Sequence, residues 1–154
     1  WRGPLLAGAL TQFYNEADWG DLDYLVVDFP PGTSDVVLTA FQQLPLDGVA
    51  VVATPQDFVS MIVRKFVNMA VKTDTPVLGL VENMGSMVCP RCGEELTLFA
   101  QGKAADSAAA LGLPLLARVP WTVELAQSGT LRWEGLSGPI RAAAMGLAEA
   151  VERN

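Results

Sequence analysis

The sequence predicts an α/β fold over residues 1–154: a single domain with a mostly parallel, doubly wound sheet and a small cysteine-bearing insertion. Three observations carry that expectation. Short continuous apolar runs at Tyr24–Val27, Val49–Ala53, Val77–Val81 and Leu115–Val119 have the composition of strands buried on both faces. Stretches with apolar residues at helical spacing separate them, the alternation that builds a parallel sheet. One segment, residues 84–102, breaks the alternation and holds both of the chain's cysteines.

Pro4 to Ala17 reads as a helix, with Pro4 in the first turn and Leu6, Leu10, Phe13 and Ala17 on one stripe. Trp19-Gly20-Asp21 breaks it, and the strand Tyr24–Val27 follows and ends in Asp28. Phe29-Pro30-Pro31-Gly32-Thr33 is a stiff loop. Ser34 or Asp35 caps a helix to about Leu44. After Asp47-Gly48 the chain enters the strand Val49–Ala53. A helix begins at Thr54-Pro55-Gln56-Asp57, with Phe58, Ile62, Phe66 and Met69 on one face, and Thr75-Pro76 ends it. Val77–Val81 is closed by Glu82-Asn83-Met84. Beyond the insertion come a helix from Lys103 to Leu111, the strand Leu115–Val119 and a short helix around residues 122–127. A last helix runs from Ser137 to about Val151, with Ile140, Ala144 and Leu147 inward.

Composition narrows the function. Apolar residues make up 51% of the 154, enough for a sizeable core. The net charge is −7 and no basic run stands out, which argues against nucleic acid as a partner. No apolar run approaches the ~20 residues of a membrane helix, and no signal-peptide pattern opens the chain. Two cysteines in one C-x-x-C are not a secreted disulfide framework, so a cytoplasmic setting is expected. The start at Trp1-Arg2-Gly3-Pro4 reads as a piece of a longer protein.

The cysteines form Cys89-Pro90-Arg91-Cys92-Gly93. This spacing lets two thiolates converge on one metal from a tight turn, with Pro90 stiffening it and Gly93 closing it. Half a metal site, a redox dithiol and a structural pair are all open. A redox motif of the thioredoxin kind would open a helix, whereas here the strand-like Leu96-Thr97-Leu98-Phe99 follows, which fits a metal knuckle better. Two ligands do not close a tetrahedral site and the sequence has no histidine. The remaining ligands must come from a second chain, an inorganic cluster, or both.

Ligands of parallel sheets bind beyond the carboxyl ends of the strands, where Asp28, Thr54-Pro55 and Asn83 are expected together on one rim. A strand-end aspartate can orient a magnesium-bound water, and Gly32 can bring a backbone N–H to a phosphate. Equally, Asp28 can cap its loop, Gly32 can serve the turn, and Asn83 can be a turn former rather than a reader of a purine edge. The phosphate-cradling pattern G-x-x-x-x-G-K-[ST] occurs nowhere; at Gly102-Lys103 the next residue is Ala104, without the hydroxyl magnesium requires.

Several stretches occur together in one order: Trp1-Arg2-Gly3-Pro4, Leu22–Thr33 with its Asp28-Phe29-Pro30-Pro31-Gly32-Thr33, Thr54-Pro55-Gln56-Asp57, Val81-Glu82-Asn83-Met84 and Cys89–Gly93. In combination they resemble the C-terminal part of the Mrp/ApbC iron–sulfur cluster carrier ATPases, P-loop NTPases related to MinD. The resemblance covers nearly the whole chain. It implies a P-loop NTPase-like fold truncated on its N-terminal side. It also implies a four-iron cluster held between two copies of the chain, with Cys89 and Cys92 from each, for delivery to apo iron–sulfur proteins. ATP and magnesium belong to the full-length family. There Asp28 matches the residue that holds the magnesium shell, Gly32 and its neighbour Thr33 the γ-phosphate sensor, and Asn83 the adenine contact. The loop at Pro120-Trp121 falls where the base is also contacted. The chain departs from the family in lacking the upstream phosphate loop, in Ser34 where glycine is usual, and in Phe99-Ala100-Gln101-Gly102-Lys103 where the family is richer in glycine. ATPase activity is therefore not expected of this chain alone.

Overall fold

The computed structural model describes residues 2–56, 61–98, 103–123, 125 and 132–153. Its elements are α1 (Arg2–Glu16), α2 (Asp35–Gln43), β1 (Val49–Ala53), α3 (Met61–Lys72), β2 (Val77–Val88), β3 (Glu95–Thr97), α4 (Lys103–Leu111), β4 (Leu115–Trp121) and α5 (Gly138–Glu152). A 3-10 turn at Trp133–Gly135 precedes α5. Phe58, and most of the short helix expected around residues 122–127, fall outside the described residues.

The sheet is mixed and mostly parallel. β2 is central, with β1 parallel on one side and β4 parallel on the other; β3 runs antiparallel to the far end of β2. One face is covered by α3 and α4, whose Val63, Val67, Ala104 and Ala108 form a core with Val51, Ala53 and Leu80. By strand alternation Val81 points to the opposite face; it is buried as well, and α5 packs along β4. Leu80 and Val81 are thus enclosed from both sides, each contributing roughly 1.5–3 kcal/mol of burial. A second cluster joins α2 to the start of β1 and the end of α3 through Val37, Phe41, Val49 and Ala70. Phe29 and Phe66 meet Phe41 edge-on, at ring separations of 6.3 and 5.4 Å.

Four expectations need correcting. Tyr24–Val27 is not a strand: it pairs with nothing among the described residues, and Val26 is 90% exposed. An apolar run becomes a strand only where a ladder takes up its N–H and C=O groups, and none is offered there. Second, β1 is buried on one face only, its residues alternating between buried and exposed. Third, the buried stripe of α3 is Val63, Val67 and Ala70, with Phe66 and Met69 half-buried and Ile62 56% exposed. The helix is apolar on more than one side, and its smaller residues make the close approach to β1. Fourth, β2 does not close at Glu82-Asn83-Met84. It continues to Val88, through a register irregularity between Asn83 and Met87 where Met84 takes φ +58°.

Candidate metal centre

The extension of β2 makes the cysteine knuckle. Beyond the irregularity the strand keeps Met87 paired with Trp121 of β4 and forms a hairpin with β3, Ser86 opposite Thr97, Met87 opposite Leu96 and Val88 opposite Glu95. The Ser86 hydroxyl donates to Glu95 Oε1 at 2.5 Å across this hairpin. At the tip, the Cys89 N–H donates to the Glu94 carbonyl at 2.8 Å and the Gly93 N–H to the Cys89 carbonyl at 2.9 Å. These two bonds close the turn Pro90-Arg91-Cys92. Gly93 takes φ +77°, a conformation that costs a side-chain-bearing residue about 1–2 kcal/mol.

Closing the turn aims backbone N–H groups at sulfur. The N–H groups of Cys92 and Arg91, and then the Cys92 thiol, hold the Cys89 thiol below its ordinary pKa, while burial opposes weakly. Cys89 is half-buried, Cys92 is exposed, and both are free thiols. Among the described residues no group of three or more His, Cys, Asp or Glu gathers to hold a metal ion. The knuckle presents two soft donors at the end of an arm, a donor chemistry that suits an iron–sulfur cluster or zinc.

The arm is rooted at the carboxyl end of the sheet. There Glu82, opposite Arg118 in the β2–β4 register, accepts a hydrogen bond from Arg118 Nε at 3.0 Å. Spacing alone did not reveal this pair, because the two residues are distant in sequence and become neighbours only through strand register. Ala53 pairs with Glu82, so Thr54 and Asn83 follow at the same end of adjacent strands, as expected. Asp28 does not reach that rim as the end of a strand; it lies in the exposed, unpaired segment. Gly32 is half-buried at φ +85°, and exposed Thr33 and half-buried Ser34 lead into α2. The sheet brings Thr54 and Asn83 together, and the cysteines form a separate group at the arm's tip.

A mostly parallel α/β sheet of this topology is the build of a P-loop NTPase-like protein, here with a dithiol arm at the carboxyl end of the sheet. Residues 1–137 match the model of the ParA family described as the NUBPL iron-transfer P-loop NTPase, and the chain belongs to that family. It is 44% identical over 128 residues to the "Iron-sulfur cluster carrier protein" of Clostridium perfringens, covering 83% of this chain and 45% of the relative. It is 42% identical over 128 residues to the "Iron-sulfur cluster transfer protein NUBPL" of Dictyostelium discoideum, covering 83% and 40%. A solved nucleotide-binding protein from Archaeoglobus fulgidus, in complex with ADP, superposes with a TM-score of 0.71 at 41% identity, over 80% of this chain and 51% of that one. The chain spans about half the length or less of the curated relatives it matches.

Proposed function

We propose that this chain is the cluster-holding portion of an iron–sulfur cluster carrier. Cys89 and Cys92 ligate two irons of a four-iron cluster, and the same two cysteines of a second copy ligate the others. The cluster is cargo, passed on to apo iron–sulfur proteins. The observation that carries this reading is the knuckle: two thiols at the tip of an arm, one of them held toward its thiolate by N–H groups. Thiolate is the form that binds iron. Delivery needs accessible ligands, since an incoming thiolate must reach an iron as a resident one leaves, and Cys92 is exposed for that exchange. In the same reading Asp28 serves the magnesium shell, Gly32 and Thr33 the terminal phosphate of ATP, and Asn83 the adenine. The phosphate-cradling loop then belongs to the part of the protein that this chain does not span, and the cytoplasm is the setting.

Anaerobic reconstitution with iron and sulfide tests the reading. The expected product is a coloured species with four irons per two chains and twice the mass of one chain in solution. Cys89→Ala should lose both colour and association. A mutant that keeps full iron content, a wild type that holds its cluster as a monomer, or a preference for zinc without sulfide uptake would refute it.

A further inference from the structure

The arm that carries the cysteines changes course at its root. β2 keeps its β4 register as far as Asn83, opposite Val119, and takes it up again at Met87, opposite Trp121. Met84, Gly85 and Ser86 therefore face a single residue of β4, the buried Pro120, which has no N–H to give a ladder. Met84 takes φ +58°, a conformation that a side-chain-bearing residue holds only where its surroundings impose it. Gly85 does not take a left-handed φ, so the backbone alone does not call for glycine there. Space does. A Cβ on Gly85 would stand 2.7 Å from both Cδ and Oε1 of Glu82 and 3.0 Å from its Cγ, which is too close. The Glu82 carboxylate thus lies against the backbone of Gly85, and the Gly85 carbonyl accepts the Leu98 N–H at 3.2 Å just past β3.

What fixes that carboxylate comes from β4. Arg118 Nε donates to its other oxygen, Oε2, at 3.0 Å. The pair is unequal, the Glu82 side chain 14% exposed and the Arg118 side chain 64%. An ion pair so open on one side adds little to stability. It does decide where the carboxylate points: without the guanidinium, a largely enclosed charge is drawn toward water and away from Gly85. We propose that Glu82 is a positioning residue for the two cysteines: its carboxylate, tethered by Arg118, is the stop on which Gly85 rests, and it sets the direction in which the arm leaves the sheet and presents Cys89 and Cys92. The direction of the arm is a property of this chain alone; that it serves a cluster shared with a second copy rests on the function proposed above. Two copies related by a two-fold axis bring their thiols to one place only if each arm leaves its sheet at the matching angle. A small turn at the root therefore separates the sulfurs at the tip.

Distances between two spin labels on the metal-free chain test the stop. One label sits on Cys92, with Cys89→Ser removing the other thiol, and the second on Val71→Cys, at an exposed position of α3. With Glu82 in place the distances should form one narrow distribution. Glu82→Ala and Arg118→Ala should each widen it about twofold, as the arm samples further directions. Glu82→Gln, which keeps the shape and an oxygen for Arg118, should restore most of the narrow distribution. Gly85→Ala should shift the distance, because its methyl and the carboxylate claim the same space, and in the Glu82→Ala background it should have no effect. An ion pair that only stabilises the fold would not produce that reversal, and urea midpoints near the wild-type value confirm that the variants fold. In reconstitution with iron and sulfide, the iron concentration for half-saturation should rise about tenfold or more in Glu82→Ala, as when a group that orients a metal ligand is lost. An unchanged distribution in Glu82→Ala and Arg118→Ala, or equal effects of Gly85→Ala with and without Glu82, would overturn the proposal. So would wild-type iron uptake by Glu82→Ala where Cys89→Ala loses it. Altered distances beside iron uptake that Cys89→Ala does not reduce would uphold the stop and refute the cluster reading instead.

Discussion

Cys89 and Cys92 have the same side chain and different surroundings. The turn directs the N–H groups of Cys92 and Arg91 at the Cys89 sulfur, while Cys92 faces solvent. A lowered pKa means that thiolate persists at lower pH. Alkylation of the metal-free protein at Cys89 should therefore reach half its maximal rate below the pH needed by an ordinary thiol. Cys92→Ser alters the thiol contribution and keeps both N–H donors, so it should raise that midpoint only in part. Mass-resolved iodoacetamide labelling across a pH series reads both, and a Cys89 midpoint at or above that of a free thiol would contradict the structure. The same linkage gives a sign for stability: the contribution of this turn is fully present above the ordinary thiol pKa and is lost as pH falls through the lowered one. The C-x-x-C spacing was legible in the sequence. The inequality of the two sulfurs was not, because it depends on where peptide N–H groups point once Gly93 has closed the turn.

At the scale of elements, periodicity located helices and strands but did not choose their faces. α3 carries apolar residues on more than one side, and contact with β1 and Leu80 selected Val63 and Val67 over Ile62. Leu80→Ala should accordingly lower unfolding free energy by about 2–5 kcal/mol, whereas Ile62→Ala, at an exposed site, should stay within about 0.5 kcal/mol. Urea titrations of the two variants check the contrast, and equal losses would mean that the stripe is assigned wrongly. Ser86→Ala tests the arm in the same way. Its hydroxyl bridges to Glu95 at an exposed place, so stability should fall by no more than about 1 kcal/mol and the arm should persist. Tyr24–Val27 marks the limit of such reading. Its composition is that of a strand, but a strand is a relation between two segments, and one sequence run shows only one of them. β2 erred the other way. Its seven residues past Val81 contain Gly85, Ser86 and the turn-prone Asn83, so their strand character comes from pairing with β3 and β4 rather than from propensity.

For the whole molecule, the proposed cluster site and the proposed nucleotide site make different demands on the fold. The knuckle is a hairpin whose turn is closed by its own hydrogen bonds, on an arm that continues β2 and stays paired with β4 at Met87. A nucleotide site is not local. Phosphoryl transfer depends on holding phosphate, magnesium and attacking water within a fraction of an ångström, and misplacement alone costs orders of magnitude. Asp28 sits in an exposed, unpaired segment, and the 154 residues contain no phosphate-cradling pattern. Neither positioning nor charge neutralisation is then in place. The purified chain should show no magnesium-dependent phosphate release from ATP above background, and Asp28→Ala should change nothing. The proposed role of Asp28 at the magnesium shell calls for a phosphate-cradling loop supplied beside it. Only then should Asp28→Ala lower turnover, by roughly 10²-fold or more, as loss of a metal-positioning carboxylate does. Clear turnover by the isolated chain that Asp28→Ala abolishes would show instead that this half already carries a working phosphate site.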